Sequence, residues 1–170
     1  MLSPTMQQAI NQQLNAELYS SYLYLSMSAH FEATGLGGCA NWMRQQASEE
    51  MFHAMKMFGF IHDRGGRVTL RAIDAPPVSW ESPLAVFEQV LAHERQVTGL
   101  INDLVDLAQS ERDHATTIFL QWFVSEQVEE EAAAGQLIDK LKLIGSDNNG
   151  LFMLDKELAL RIFTPPPAQE

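Results

Sequence analysis

Four long segments of this sequence each place a glutamate in the middle of the stripe that ought to be apolar. That repeated interruption limits the fold more than any other feature. Stepping alternately by three and four residues collects the side chains on one face of a helix. The first stripe then reads Ile10, Leu14, Glu17, Ser21, Tyr24 and Ser28, and the second Met43, Gln46, Glu50, His53, Met57 and Phe60. The third reads Leu84, Phe87, Leu91, Glu94, Val97, Ile101 and Leu104, and the fourth Leu120, Phe123, Gln127, Glu130, Ala134, Leu137, Leu141 and Ile144. All four have the period of a helix that buries one side, so an all-α chain is expected, a four-helix bundle with these stripes turned inward.

Punctuation in the sequence sets the boundaries. Ser3-Pro4 has the form of a helix cap followed by proline in the first turn, and the apolar period continues to about Phe31. Gly35, Gly37 and Gly38 break it, and a second helix is expected from about Cys39 to Asp63, before Gly65-Gly66. Arg67 to Ser82 has no sustained period and carries Pro76 and Pro77, with Pro83 just beyond. At roughly sixteen residues this connection is too long for a tight helix-helix link, so it can cross the bundle and start the third helix parallel to the second. The third helix is expected over about Pro83 to Gln109 and the fourth over about His114 to Ile144, with Lys140 and Lys142 at its negative end. After the turn at Gly145–Gly150, a short fifth helix is expected over about Leu151 to Phe163, then a proline-rich tail over 164–170. A single domain over 1–170, its bundle spanning about 4–144, accounts for the whole chain.

A lone buried carboxylate takes up a proton or is paired, and these stripes offer no matching Lys or Arg. Any one such glutamate is compatible with a partly exposed position or an ion pair, but four in register call for a shared cation. Four glutamates carry four negative charges and two Fe²⁺ carry four positive ones, so a binuclear ferrous centre neutralises the set. Glu50 and His53 stand three apart, as do Gln127 and Glu130, so each pair projects two groups to one place. Metal ligands are therefore expected at Glu17, Glu50, His53, Glu94, Gln127 and Glu130. Tyr24 lies further along the first stripe, near enough to hydrogen-bond a ligand or donate an electron.

Composition narrows the partners. The 11 Lys and Arg against 22 Asp and Glu leave a formal charge of −11, which repels nucleic acid and attracts cations. One cysteine, Cys39, allows no internal disulfide, and a reducing cytoplasm is the expected setting. No basic segment precedes an apolar run at the N-terminus, and no apolar stretch approaches the ~20 residues that span a bilayer, so neither a signal peptide nor a membrane is expected.

The chain resembles the bacterial non-haem ferritins along essentially its whole length. The resemblance rests on Asn15-Ala16-Glu17-Leu18-Tyr19-Ser20-Ser21-Tyr22, on Glu49-Glu50-Met51-Phe52-His53, on His93-Glu94, and on Trp122-Phe123-Val124-Ser125-Glu126-Gln127-Val128-Glu129-Glu130-Glu131. Related di-iron bundles take a glutamate from each of two helices and Glu-x-x-His from each of the other two. Here the second pair is Gln127-x-x-Glu130, so Glu17, Glu50 and His53 are expected to hold one iron firmly, and Glu94, Glu130 and the weakly ligating Gln127 the other less firmly.

The resemblance implies a ferritin-like bundle that stores and detoxifies iron. In such a bundle Fe²⁺ is oxidised with dioxygen or hydrogen peroxide at Glu17, Glu50, His53, Glu94 and Glu130, assisted by Tyr24. It implies a third iron position on Glu49, Glu126 and Glu129, and a homo-oligomeric cage of about twenty-four subunits around the ferric mineral. Trp122 is expected to pack rather than react. Met51 stands where bacterioferritins carry the axial methionine of a haem, but Gln127-x-x-Glu130 departs from bacterioferritin and haem is not expected. Two other readings are a passive metal-binding cage and a rubrerythrin-like peroxidase; the latter needs a cysteine-rich iron module that one cysteine cannot build.

Overall fold

An oxygen-bearing cap followed by proline starts two of the five helices in the computed structural model, which describes residues 1–166. The end of the expected proline-rich tail, from Pro167 on, lies outside the described residues. Ser3 Oγ accepts from Met6 N at 2.9 Å and opens α1, Pro4–Thr34; Gly35 closes it at φ +80°, a conformation that favours glycine. Ser82 Oγ likewise accepts from Ala85 N at 3.1 Å ahead of α3, Pro83–Ser110. Asp113 caps α4, His114–Ile144, and both its oxygens take the Arg64 guanidinium at 3.0 Å, which ties the end of α2, Gly37–Asp63, to the start of α4.

The connection from 64 to 82 climbs α1. Asn11 takes Thr69 N at 2.7 Å and donates to the Arg67 carbonyl at 3.0 Å; Asn15 reaches the Ala72 carbonyl at 3.5 Å, and Ser26 the Pro77 carbonyl at 2.5 Å. Four of its backbone groups thus find partners without a sheet. Since it runs in the direction of α1, α3 starts beside the end of α1 and descends parallel to α2. This is the expected crossover bundle, in which α1 packs on α2 and α3 on α4.

Helix α1 runs on to Thr34, past the expected Phe31, and the boundaries of α2 and α5 also differ from expectation. Gly37 and Gly38 do not break the chain but form the first turn of α2. A Cβ on Gly38 would collide with the Asp155 carbonyl, so this glycine is the place where α5 crosses α2. Helix α5 itself runs Asn148–Leu158, not Leu151–Phe163. Asp147 accepts from Asn149 N at 3.0 Å and Gly150 N at 3.2 Å, which pulls both residues into the first turn, and beyond Leu158 the backbone is taken up by side chains of α2. The stripes also drift slightly: Ile61 and Val90 are buried where Phe60 and Leu91 are only partly so.

The core is divided. One apolar cluster, with Met27, Phe31, Met43, Phe87 and Leu141, fills one end of the bundle, and another, with Ile10, Met57, Ile101, Leu120 and Phe123, fills the opposite end. Each such side chain contributes about 1.5–3 kcal/mol by leaving water. Between the two clusters lies a layer of buried polar side chains. Among the described residues no helix is long and apolar enough to cross a membrane.

Candidate metal centre

The polar layer is made by the four interrupted stripes. Glu17 from α1, Glu50 and His53 from α2, Glu94 from α3, and Gln127 and Glu130 from α4 are each at most 6% exposed. Helix geometry explains the meeting: each glutamate lies near the middle of its helix, and the turns on either side carry the apolar residues that bring the four helices together.

Glu17, Glu50 and His53 form a compact group in which one donor atom of each lies within 4.8 Å of the others. His53 Nδ1 is 3.2 Å from Glu50 Oε2, while Glu17 Oε2 and His53 Nε2 are buried with no hydrogen-bond partner among the described residues. An unpartnered carboxylate oxygen and ring nitrogen in one buried group cost several kcal/mol unless a ligand satisfies them. Oxygen donors with one imidazole form the donor set expected for Fe²⁺. The residues therefore fit the metal that the sequence led us to expect.

A second group consists of Glu49, His53, Glu126 and Glu130, again with donor atoms within 4.8 Å. It shares His53 with the first and lies toward the surface, since Glu49 and Glu126 are half-buried. Glu129, expected with Glu49 and Glu126, is exposed and outside this group.

Glu94 joins neither compact group. Tyr24 Oη donates to its Oε1 in a very short hydrogen bond, and Gln127 Nε2 donates to its Oε2 at 3.2 Å. Gln127 also donates to the Glu94 carbonyl at 3.2 Å and to Thr98 Oγ1 at 3.3 Å, so its nitrogen faces Glu94. To ligate, Gln127 would have to turn its oxygen inward. Met51 is 43% exposed on the outer side of α2, away from the carboxylates. Trp122 packs edge-on to His53, ring centroids 5.3 Å apart, with Lys56 Nζ 4.6 Å over its own ring.

The electrostatics carry the same message. Burial first, and then the charge of Glu50, holds the Glu17 carboxyl well above its usual range; burial and then Glu94 and Glu130 do the same to Glu50. Burial followed by Glu94 raises Glu130, and burial raises Glu94 despite the bonds from Tyr24 and Gln127. Tyr24 is raised by burial and then by Glu94, so its phenol keeps its proton. His93 supplies no countercharge: burial pushes its imidazole down to about 4, and it sits 2.7 Å from Ser20 Oγ. The layer is a set of acids strained by each other's company, the condition that a divalent cation relieves.

Sequence reasoning passed over the side chains that hold these acids. Gln13 Nε2 donates to Glu17 Oε1 at 2.8 Å, and Gln46 Nε2 to Glu130 Oε2 at 2.5 Å. Both were legible in principle, because Gln13 lies one turn before Glu17 and Gln46 belongs to the second stripe. Arg161, which contacts Gln46 and Glu49, follows α5 and left no such signal.

Comparison with known proteins agrees with this fold. The family model of the ferritin-like domain matches residues 7–144. A bacterial non-heme ferritin of Bacteroides fragilis is 49% identical over 161 residues, covering 95% of this chain and 100% of the relative. One from Staphylococcus saprophyticus is 44% identical over 96% of this chain and 98% of its own. Among solved structures, an engineered closed form of the Archaeoglobus fulgidus ferritin superposes with a TM-score of 0.96 at 56% identity, over 96% of this chain and all of that one. The open-pore ferritin of the same archaeon matches at 0.95.

Proposed function

From the premise that this chain belongs to the ferritin family, we propose that it stores iron, oxidising Fe²⁺ at the carboxylate layer and depositing the ferric product inside a homo-oligomeric cage. The observation that carries this reading is the buried convergence of Glu17, Glu50, His53, Glu94 and Glu130, with Glu17 Oε2 and His53 Nε2 left without partners.

Two Fe²⁺ are the substrate. Glu17, Glu50 and His53 receive one, and Glu94 and Glu130 the other, with Gln127 contributing if its amide turns. The two ions lose one electron each, dioxygen takes both together with two protons, and two Fe³⁺ and one hydrogen peroxide result; peroxide can itself serve as the oxidant in a further round. The protein supplies position and charge. Its carboxyls lose their protons as the cations arrive, the Gln13 and Gln46 amides hold Glu17 and Glu130 in place, and Tyr24 holds Glu94. The outer group of Glu49, His53, Glu126 and Glu130 serves as the third iron position on the way out.

A single subunit encloses no store, and its surface supports assembly. Leu143, Met153 and Leu160, all more than half exposed, line one apolar cleft between α5 and the end of α4, a surface of the kind that a neighbouring copy covers. A cage of about twenty-four copies follows from the family.

Aerobic Fe²⁺ addition followed by stopped-flow absorbance tests the oxidase reading. The native chain should show a fast phase, and Glu17→Ala and His53→Ala should slow it at least about tenfold, equivalent to about 1.4 kcal/mol of lost transition-state stabilisation. Fast oxidation retained in both variants would leave only a passive cage.

A further inference from the structure

The extended segment after α5 lies along α2 beside the proposed iron centre, and one of its side chains enters the polar shell of that centre. Asn41 Nδ2 donates to the carbonyls of Leu158 at 3.2 Å, Ala159 at 3.3 Å and Arg161 at 3.0 Å, and Phe163 N donates to Gln45 Oε1 at 2.8 Å. These bonds fix Arg161 with its guanidinium carbon 4.4 Å from the centre of the Trp42 ring. One guanidinium nitrogen donates to Gln46 Oε1 at 2.5 Å and to the Trp42 carbonyl at 3.3 Å; the other donates to Glu49 Oε2 at 2.7 Å. A guanidinium has donors only, so it dictates which end of the Gln46 amide faces it and turns the amide nitrogen toward Glu130 Oε2, 2.5 Å away.

We propose that Arg161 is a positioning residue for iron at the outer position: it aims Gln46 at Glu130 and occupies Glu49, so that a cation enters the outer group by displacing the guanidinium. This rests on the outer position proposed above. Without a metal, Arg161 compensates part of the negative charge that Glu49, Glu126 and Glu130 bring together. When a metal binds, it takes the place of the guanidinium at Glu49. The Arg161 and Glu49 side chains are 26% and 14% exposed, so their bond is partly shielded from water and stronger than a surface ion pair. A cleft of about 420 Å³ bordered by Phe52, His53, Trp122 and Phe163 gives the guanidinium room to withdraw. An outer position guarded in this way holds iron more weakly than bare carboxylates would, which suits transit more than retention.

Removing Arg161 has two opposing effects. Glu49 is released for metal, and Gln46 loses the group that orients it. Release dominates, because the Gln46 amide keeps Glu130 as an acceptor whereas Glu49 is left without its guanidinium partner. Zn²⁺ binding to the assembled, metal-free protein, followed by isothermal titration calorimetry, tests this with no redox step. Arg161→Gln should bind the weakest Zn²⁺ about tenfold more tightly than the native chain, the scale of one charge-assisted hydrogen bond. Arg161→Lys keeps the charge but not the two-pronged reach, and should fall between them. A purely structural role predicts weaker binding in both. If Arg161→Gln does not assemble, tighter binding in Arg161→Lys supports the proposal, and native or weaker binding overturns it. Glu49→Gln separates the two possible failures: if it loses the weak ion while the Arg161 variants bind as the native chain does, only the role of Arg161 falls. If Glu49→Gln keeps that ion, the outer position falls and Arg161 with it.

Discussion

Glu50 stands where the carboxylates of three other helices converge, and its protonation connects stability to metal. Burial and then the charges of Glu94 and Glu130 raise its pKa well above the ordinary carboxylate value of 4.5. A carboxyl raised on folding binds protons more tightly in the folded state than in the unfolded one. Its contribution is therefore complete below about 4.5, and is lost as pH climbs from there through the raised folded value. The metal-free protein should lose stability as pH rises from the acid side toward neutrality. Glu50→Gln, which cannot ionise, should then raise the metal-free melting temperature at neutral pH by several degrees, at about 2–4 °C per kcal/mol. Zn²⁺ should reverse the order, because only the native carboxylate gains from the cation. Thermal unfolding with and without metal reads both, and a Glu50→Gln variant less stable than the native chain without metal would mean that another group already satisfies this carboxylate.

At the scale of elements, the crossing of α5 over α2 depends on Gly38. An alanine there must push the Asp155 backbone away, an overpacking cost of about 1–3 kcal/mol. Gly38→Ala should therefore lower the melting temperature by several degrees and loosen α5, seen as faster amide exchange over 148–158. Gly99→Ala, in open space on α3, should be neutral or stabilising. The helices themselves were legible because period, caps and prolines all agreed: Ser3-Pro4 and Pro83 start helices where expected, and the long connection crosses where its length required. Gly38 was misread because a helix breaker and a packing glycine look alike in one dimension. The α5 boundaries moved because a single Asp147 cap outweighed the apolar pattern that begins at Leu151. Within the site, stripe position brought Glu17, Glu50, His53, Glu94 and Glu130 to one layer, but it could not say which way the Gln127 amide turns. Nor could it assign Glu130 to the outer group, because a contact between α2 and α4 depends on how the helices are packed and not on the spacing along either one.

Across the whole molecule, the acidic layer is an exception that the rest of the fold maintains. Two apolar clusters clamp it from both ends, α5 and the segment after it cover one side, and a net charge of −11 favours the approach of cations. Paired iron between the four helices is what makes burial of these acids tolerable. Anomalous diffraction at the iron edge, on crystals soaked anaerobically in Fe²⁺, locates the metal directly. One peak is expected among Glu17, Glu50 and His53 and a second toward Glu94 and Glu130. Iron found only on exposed acids such as Glu129 or Asp139, with no peak inside the layer, would contradict this placement.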